Sequence, residues 1–325
     1  MRCLLTTAVA AVLAVASVPL AKAEFVPKRP LEIAVHAGPG SGNDVFARAL
    51  ISVIEKHKLS PVRIQVANKP GGGSTTAAAY VASKAGGENT LGVFTNIWIT
   101  DPLVSAEATN PLTSMTPVAL VIREPGLIAV KADSPYKTLQ DFITAAKANP
   151  GKLSQSGGSV LARENVLRQL LMGVTGADWQ FISFPSGGER LSALLGGHVS
   201  MMIVEPGEAA EQVRSGALRV IAAVSEKRLP GFPDVPTLTE SGFDVPNLPQ
   251  IRGLVAPPGM PAEALAYYSD MVRKATETDD WKDYVAKNGY EAAFTSPEDT
   301  AKFIAAYTEQ LSGILQKAGI QLVKR

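Results

Sequence analysis

Leu31-Glu32-Ile33-Ala34-Val35 runs into His36-Ala37-Gly38-Pro39-Gly40-Ser41-Gly42-Asn43-Asp44, and Val45, Phe46, Ala49, Leu50, Val53 and Ile54 follow at helical spacing. A short apolar run, a glycine-rich turn and an amphipathic stretch predict a strand, a loop and a helix over 44–57. The same unit recurs along the chain. Strands are expected at 62–66, 90–94, 127–130, 179–183, 199–204 and 218–224, and helices at 74–84, 139–148, 190–195 and 208–215. The 139–148 helix opens with the capping box Thr138-x-x-Asp141 and stops at Asn149-Pro150-Gly151. Such alternation predicts an α/β protein, each domain a mainly parallel sheet flanked by helices.

A chain of 325 residues is long enough for two domains. The 229–261 segment is crowded with prolines and weakly periodic, so it reads as a crossover between them. Three helices then follow with no clear strand, the last over about 297–317. Helices without their own sheet must pack on an existing one. The expected division is therefore 24–125 with 249–325 as one discontinuous domain and 126–248 as the other. Two chain crossings make a hinge, the Venus-flytrap arrangement in which a cleft closes on a ligand.

Residues 1–23 read as an export signal: Met1-Arg2 gives a positive start, 4–18 is mostly apolar, and Ala21-Lys22-Ala23 supplies small residues for cleavage after Ala23. The apolar run falls short of the roughly 18 residues a membrane anchor needs. The expected location is the periplasm. Cleavage removes Cys3, the only cysteine, and with Arg2 and Lys22 it takes the formal charge from +1 to −1. No disulfide, thiolate site or thiol nucleophile then remains. Near-neutrality gives no support for nucleic acid. Three histidines without an H-E-x-x-H pair make a metal improbable, and no cofactor is expected.

Four glycine-rich loops lie between a strand and a helix. The first is 36–44 and the second Asn68-Lys69-Pro70-Gly71-Gly72-Gly73-Ser74-Thr75; the third is Ser156-Gly157-Gly158-Ser159 leading to Arg163-Glu164-Asn165, and the fourth Pro185-Ser186-Gly187-Gly188-Glu189. In open α/β sheets such loops gather at the carboxyl ends of the strands, where ligands bind. Helix N-termini converging there favour an anion. Candidate ligand-binding residues are His36, Gly38, Pro39, Ser41, Gly42, Asn43, Asp44, Thr95, Ser156, Gly157, Gly158, Ser159, Arg163, Asn165, Ser186, Gly187, Glu205 and Arg252. Arg163 and Arg252 are the candidate counter-ions. The dinucleotide pattern G-x-G-x-x-G fails from Gly38 (Asn43) and from Gly40 (Val45), and no P-loop is present. No G-x-S-x-G elbow exists, since Leu161 stands where Ser159 would need its second glycine. An exported hydrolase with His36 or Glu205 as base is the remote enzymatic alternative.

Taken in order, these pieces resemble the substrate-binding proteins of tripartite tricarboxylate transporters, the Bug family of periplasmic receptors. The resemblance rests on Gly38-Pro39-Gly40-Ser41-Gly42-Asn43-Asp44-Val45-Phe46-Ala47-Arg48, on Asn68-Lys69-Pro70-Gly71-Gly72-Gly73, and on Ser186-Gly187-Gly188-Glu189 with Leu194-Leu195-Gly196-Gly197-His198-Val199. Asp234-Val235-Pro236-Thr237-Leu238 and Arg252-Gly253-Leu254-Val255-Ala256-Pro257-Pro258-Gly259 extend it. It implies a non-enzymatic receptor that hands a small carboxylate to a two-subunit membrane permease; a monomer is expected. It also implies that loops 38–44 and 156–163 hold the carboxylate, partly through backbone N–H groups and water. A receptor serving a sensor rather than uptake is the alternative. The chain departs from the family pattern at His36, at Asn165 and at Glu205-Pro206-Gly207-Glu208. Glu205 could repel a second carboxylate and accept an amino group, or it could serve only as a helix-start acid.

Overall fold

The computed structural model describes residues 25–109, 111–184, 186–317 and 320–323; the expected export segment lies outside them. In chain order the main elements are β1 (Leu31–Val35), α1 (Gly42–Lys56), β2 (Ile64–Asn68), α2 (Thr75–Ala82), β3 (Thr90–Phe94), α3 (Ile97–Val104), β4 (Thr116–Glu124), β5 (Gly126–Lys131), α4 (Leu139–Ala148), β6 (Ser154–Gly157) and α5 (Arg163–Thr175). They continue with β7 (Gln180–Ser183), α6 (Gly187–Leu195), β8 (Met201–Val204), α7 (Pro206–Arg214), β9 (Leu218–Val224), β10 (Gln250–Ala256), α8 (Ala262–Glu277), α9 (Asp279–Lys287), β11 (Glu291–Ala292) and α10 (Pro297–Lys317).

These strands form two sheets, one ordered β11-β4-β10-β3-β1-β2 and the other β7-β6-β8-β5-β9. Both are mixed. The strands that carry the glycine-rich loops pair in parallel, β1 with β2 and β3, and β6 with β7 and β8. Antiparallel pairs complete each sheet: β10 lies between β3 and β4, and β5 between β8 and β9.

The segment read as a proline-rich crossover ends in β10, an inner strand of the first sheet. Its residues Ile251 to Ala256 are all buried, so no alternation of polar and apolar side chains marked it. β4 escaped sequence reading for the same reason, since Val118 to Ile122 and Glu124 are all buried.

Helices cover both faces of each sheet. On the first, Phe46, Leu50 and Ile54 of α1 pack with Tyr268 of α8 and Trp281 of α9 on one side. Val81 of α2, Trp98 of α3, and Ile304, Tyr307 and Leu311 of α10 cover the other. In the second sheet, Phe142 of α4 and Leu167 of α5 share a core with Trp179, opposite Leu194 of α6. The capping box predicted at Thr138 and Asp141 is formed.

Candidate functional site

The first loop is organised by Asp44. Its Oδ2 accepts Gly40 N–H at 2.9 Å and Arg48 Nε at 2.8 Å, while Oδ1 accepts Arg48 Nη2 at 2.9 Å and Asn68 Nδ2 at 3.1 Å. The Arg48 hydrogen bonds hold the Asp44 carboxyl at about 2, well below its ordinary value, against the opposing effect of desolvation. Asn68 also donates to Ala37 O at 2.8 Å, tying the end of β2 to the loop. Ser41 caps α1 and accepts the Asp44 N–H. Both Asp44 oxygens are thus spent on shaping the loop. Gly38, Pro39 and Gly40 stay half-buried or exposed at its tip.

Behind the loop lies a polar chain that starts at half-buried His36 and runs through buried residues. Trp98 Nε1 donates to His36 Nδ1 at 2.9 Å, and Asn43 Nδ2 lies 2.9 Å from His36 Nε2. Burial, assisted by the Arg252 charge, lowers the His36 pKa to about 3, so the ring is neutral. Arg252 donates to Asn43 Oδ1 and grips Glu124 with Nε (2.5 Å) and Nη2 (2.8 Å). Burial opposes the Arg252 charge, but the paired carboxylate of Glu124 outweighs it and raises the pKa. Gly42 leaves room for this guanidinium, because a Cβ there would come within 2.8 Å of Nη2.

The second loop, 71–73, takes positive φ at all three glycines (129°, 55° and 67°), a path that L-residues rarely adopt. Asp101 of α3 fastens it by accepting Ser74 N–H at 2.6 Å and Ser74 Oγ at 2.8 Å.

In the second lobe, Ser156 and Gly157 end β6, and Asn165 supports the loop by donating to Val160 O at 2.8 Å. Ser159 Oγ accepts Leu161 N–H within it. Gly157 lies under the Phe181 ring, and Gly158 is exposed. Ser186 caps α6 by accepting Glu189 N–H at 3.2 Å, and Gly187 abuts Glu208.

Arg163 is the link between lobes. Its Nη1 donates to Glu124 O at 3.0 Å and Leu248 O at 3.4 Å, one on each of the two connecting segments, and Nη2 donates to Glu205 at 2.7 Å. Arg190 pairs with Glu164 at 2.8 Å and lies 3.6 Å from Glu208 and 3.9 Å from Glu205. Burial would raise the Glu205 pKa, but Arg163 and Arg190 bring it down to about 2. Desolvation and the neighbouring Glu205 charge push Glu208 up to about 8.

Arg163 and Arg252, expected as free counter-ions, are therefore each paired with a carboxylate of the chain. The lobes also touch beyond the hinge: a Cβ on Gly207 would come within 3.0 Å of Asn288 Oδ1, and one on Gly289 within 2.9 Å of Pro206. Among the described residues, the Thr95 and Ser156 hydroxyls are buried without a hydrogen-bond partner, as are Arg163 Nε and Arg190 Nε. Thr95 and Ser156 sit at the carboxyl ends of β3 and β6, one in each sheet.

Sequence reading missed Trp98, Asp101, Glu124, Glu164 and Arg190. For Glu124 a signal existed, since Arg123-Glu124-Pro125-Gly126 places charges between two apolar runs. The others acquire their roles only through contacts distant in sequence.

Two α/β lobes joined by two connecting segments, with glycine-rich helix starts at their strand ends, define a two-lobed solute-binding protein. A family model described as "Tripartite tricarboxylate transporter family receptor" matches residues 47–320, and the chain belongs to that family. It is a substrate-binding receptor, not an enzyme. A Cupriavidus necator protein, "UPF0065 protein in gbd 5'region", is 30% identical, covering 96% of this chain and 95% of its own. The structure described as periplasmic binding protein BugD superposes with a TM-score of 0.82 at 23% identity, over 91% of this chain and 99% of that one. MatC from Rhodopseudomonas palustris with bound malate gives 0.80 at 24% identity, over 89% and 99%.

Proposed function

We propose that this chain is exported to the periplasm after cleavage behind Ala23, captures a small organic carboxylate between its lobes, and presents it to a two-subunit membrane permease. The lobes of this reading are 24–125 with 249–325, and 126–248, in a monomer. The observation that carries it is the pair of buried, unpartnered hydroxyls of Thr95 and Ser156 at the carboxyl ends of β3 and β6, strands that lead through loops into α3 and α5. Hydroxyls and helix-start N–H groups suit a carboxylate. Malate bound to MatC, a protein of the same fold, supports the ligand class. In this reading Asp44, Asn43, Asn165 and Pro39 shape the loops, while Gly38, Ser41, Gly158, Ser159, Ser186 and Gly187 bring polar groups to the ligand. The ligand stabilises the closed form by binding it better than the open one.

Thermal denaturation of the ligand-free mature chain against small carboxylates, amino acids and sugars tests this. A ligand at about 100 times its Kd adds roughly 2.7 kcal/mol of stability, a clear rise in Tm. Stabilisation by acids and not by sugars is expected; no response to any acid ends the carboxylate reading.

A further inference from the structure

Three guanidiniums reach the region where the lobes meet, those of Arg163, Arg190 and Arg252. Four carboxyl groups face them: Glu205 on Arg163, Glu164 on Arg190, Glu124 on Arg252, and half-exposed Glu208 at 3.6 Å from Arg190. Every positive charge there is already matched. The donors left over carry no net charge to spare. They are the Thr95 and Ser156 hydroxyls, the helix-start N–H groups, and one Nε–H on each of Arg163 and Arg190, whose charges Glu205 and Glu164 already balance. Such donors can satisfy the oxygens of one carboxylate by hydrogen bonding. A second carboxylate placed beside Glu205 would meet a like charge, and like charges in a partly desolvated cleft repel strongly.

Glu205 holds the decisive position. It follows β8 as the residue that opens α7, its side chain is only 13% exposed, and it takes up Nη2 of the arginine that also holds both connecting segments. We infer that the cleft selects a monocarboxylate whose far end is uncharged or cationic, and that Glu205 excludes a second carboxylate by occupying Arg163. This rests on the carboxylate-receptor reading and narrows it, away from dicarboxylates of the malate type.

Isothermal titration of the ligand-free mature receptor with chain-matched acids tests the inference: butyrate and γ-aminobutyrate against succinate, hexanoate against adipate, and benzoate against terephthalate. Within the set that binds, the monocarboxylate should bind at least tenfold more tightly, a difference of about 1.4 kcal/mol. In Glu205→Gln, which frees the Arg163 charge while keeping a side chain of similar size, that preference should shrink at least tenfold. A wild-type receptor preferring the dicarboxylate overturns the inference and leaves the carboxylate reading standing. An unchanged preference in Glu205→Gln overturns the role of Glu205. Should that variant fail to fold, the wild-type comparison decides alone. Binding of none of the acids overturns this inference together with the reading beneath it.

Discussion

The two loops that open α1 and α5 look alike in sequence, each a glycine- and serine-rich turn leading to a charged residue, yet they are held in different ways. Loop 38–44 is fastened by its own neighbourhood: Asp44 gathers Gly40, Arg48 and Asn68, all within the first lobe, and Arg48 is 57% exposed. Loop 156–163 ends in Arg163, which is buried and reaches out of its lobe to Glu124 O and Leu248 O on the connecting segments. The first loop is thus preformed whatever the angle between the lobes. The second is fastened to the connecting segments themselves, so a change in the angle between the lobes would disturb the Arg163 contacts.

Removing Arg163 should break the comparison most severely. Arg163→Ala leaves Glu205 buried without its closest cation and two connecting-segment carbonyls without their donor. Loss of one partner from a buried ion pair costs about 3 kcal/mol or more. Urea unfolding should show that loss, and small-angle scattering should show a larger radius of gyration as the population moves toward open lobes. An unchanged radius would mean that Arg163 does not report on closure.

Asp44→Ala should act within one lobe. Several hydrogen bonds to a buried carboxylate are lost, about 2 kcal/mol in all, with the radius of gyration unchanged. The pH dependence follows from the depressed pKa of Asp44, about 2 in the folded chain against 3.8 when unfolded. Its contribution is fully present above pH 4 and is lost as the pH falls toward 2. The parent should therefore lose stability over that window more steeply than Asp44→Ala, as read from Tm against pH.

Arg48→Ala should have the smallest effect. The Arg48 side chain is mostly solvated, which screens its charge on the buried Asp44 and discounts the pair. Its Tm should stay near that of the parent, because Gly40 and Asn68 still hold Asp44. A loss as large as that of Asp44→Ala would show that the pair, not the carboxylate alone, builds the loop.

Much of the fold was legible because it is local. The span of β3 and the bounds of α4 and β9 match their expected ranges, since apolar runs, a capping box and glycine stops act within a few residues. The mostly buried strands β4 and β10 were not, because burial on both faces erases the alternation that marks a strand. The candidate site divides in the same way. The loop glycines and helix-cap serines could be found from composition and position. Trp98 beneath His36, Asp101 beneath the second loop and Glu124 opposite Arg252 could not, since each partner lies tens of residues or more away.

The sequence by itself determined the α/β class, the glycine-rich helix starts and the family, because these depend on short-range patterns and an ordered set of motifs. Only the tertiary structure decided which charges are free. Arg163 and Arg252 read as open anion sites along the chain, and folding brings Glu205 and Glu124 against them. An ion pair depends on distance in space, and residues 163 and 205 become neighbours only when β6 and β8 join one sheet.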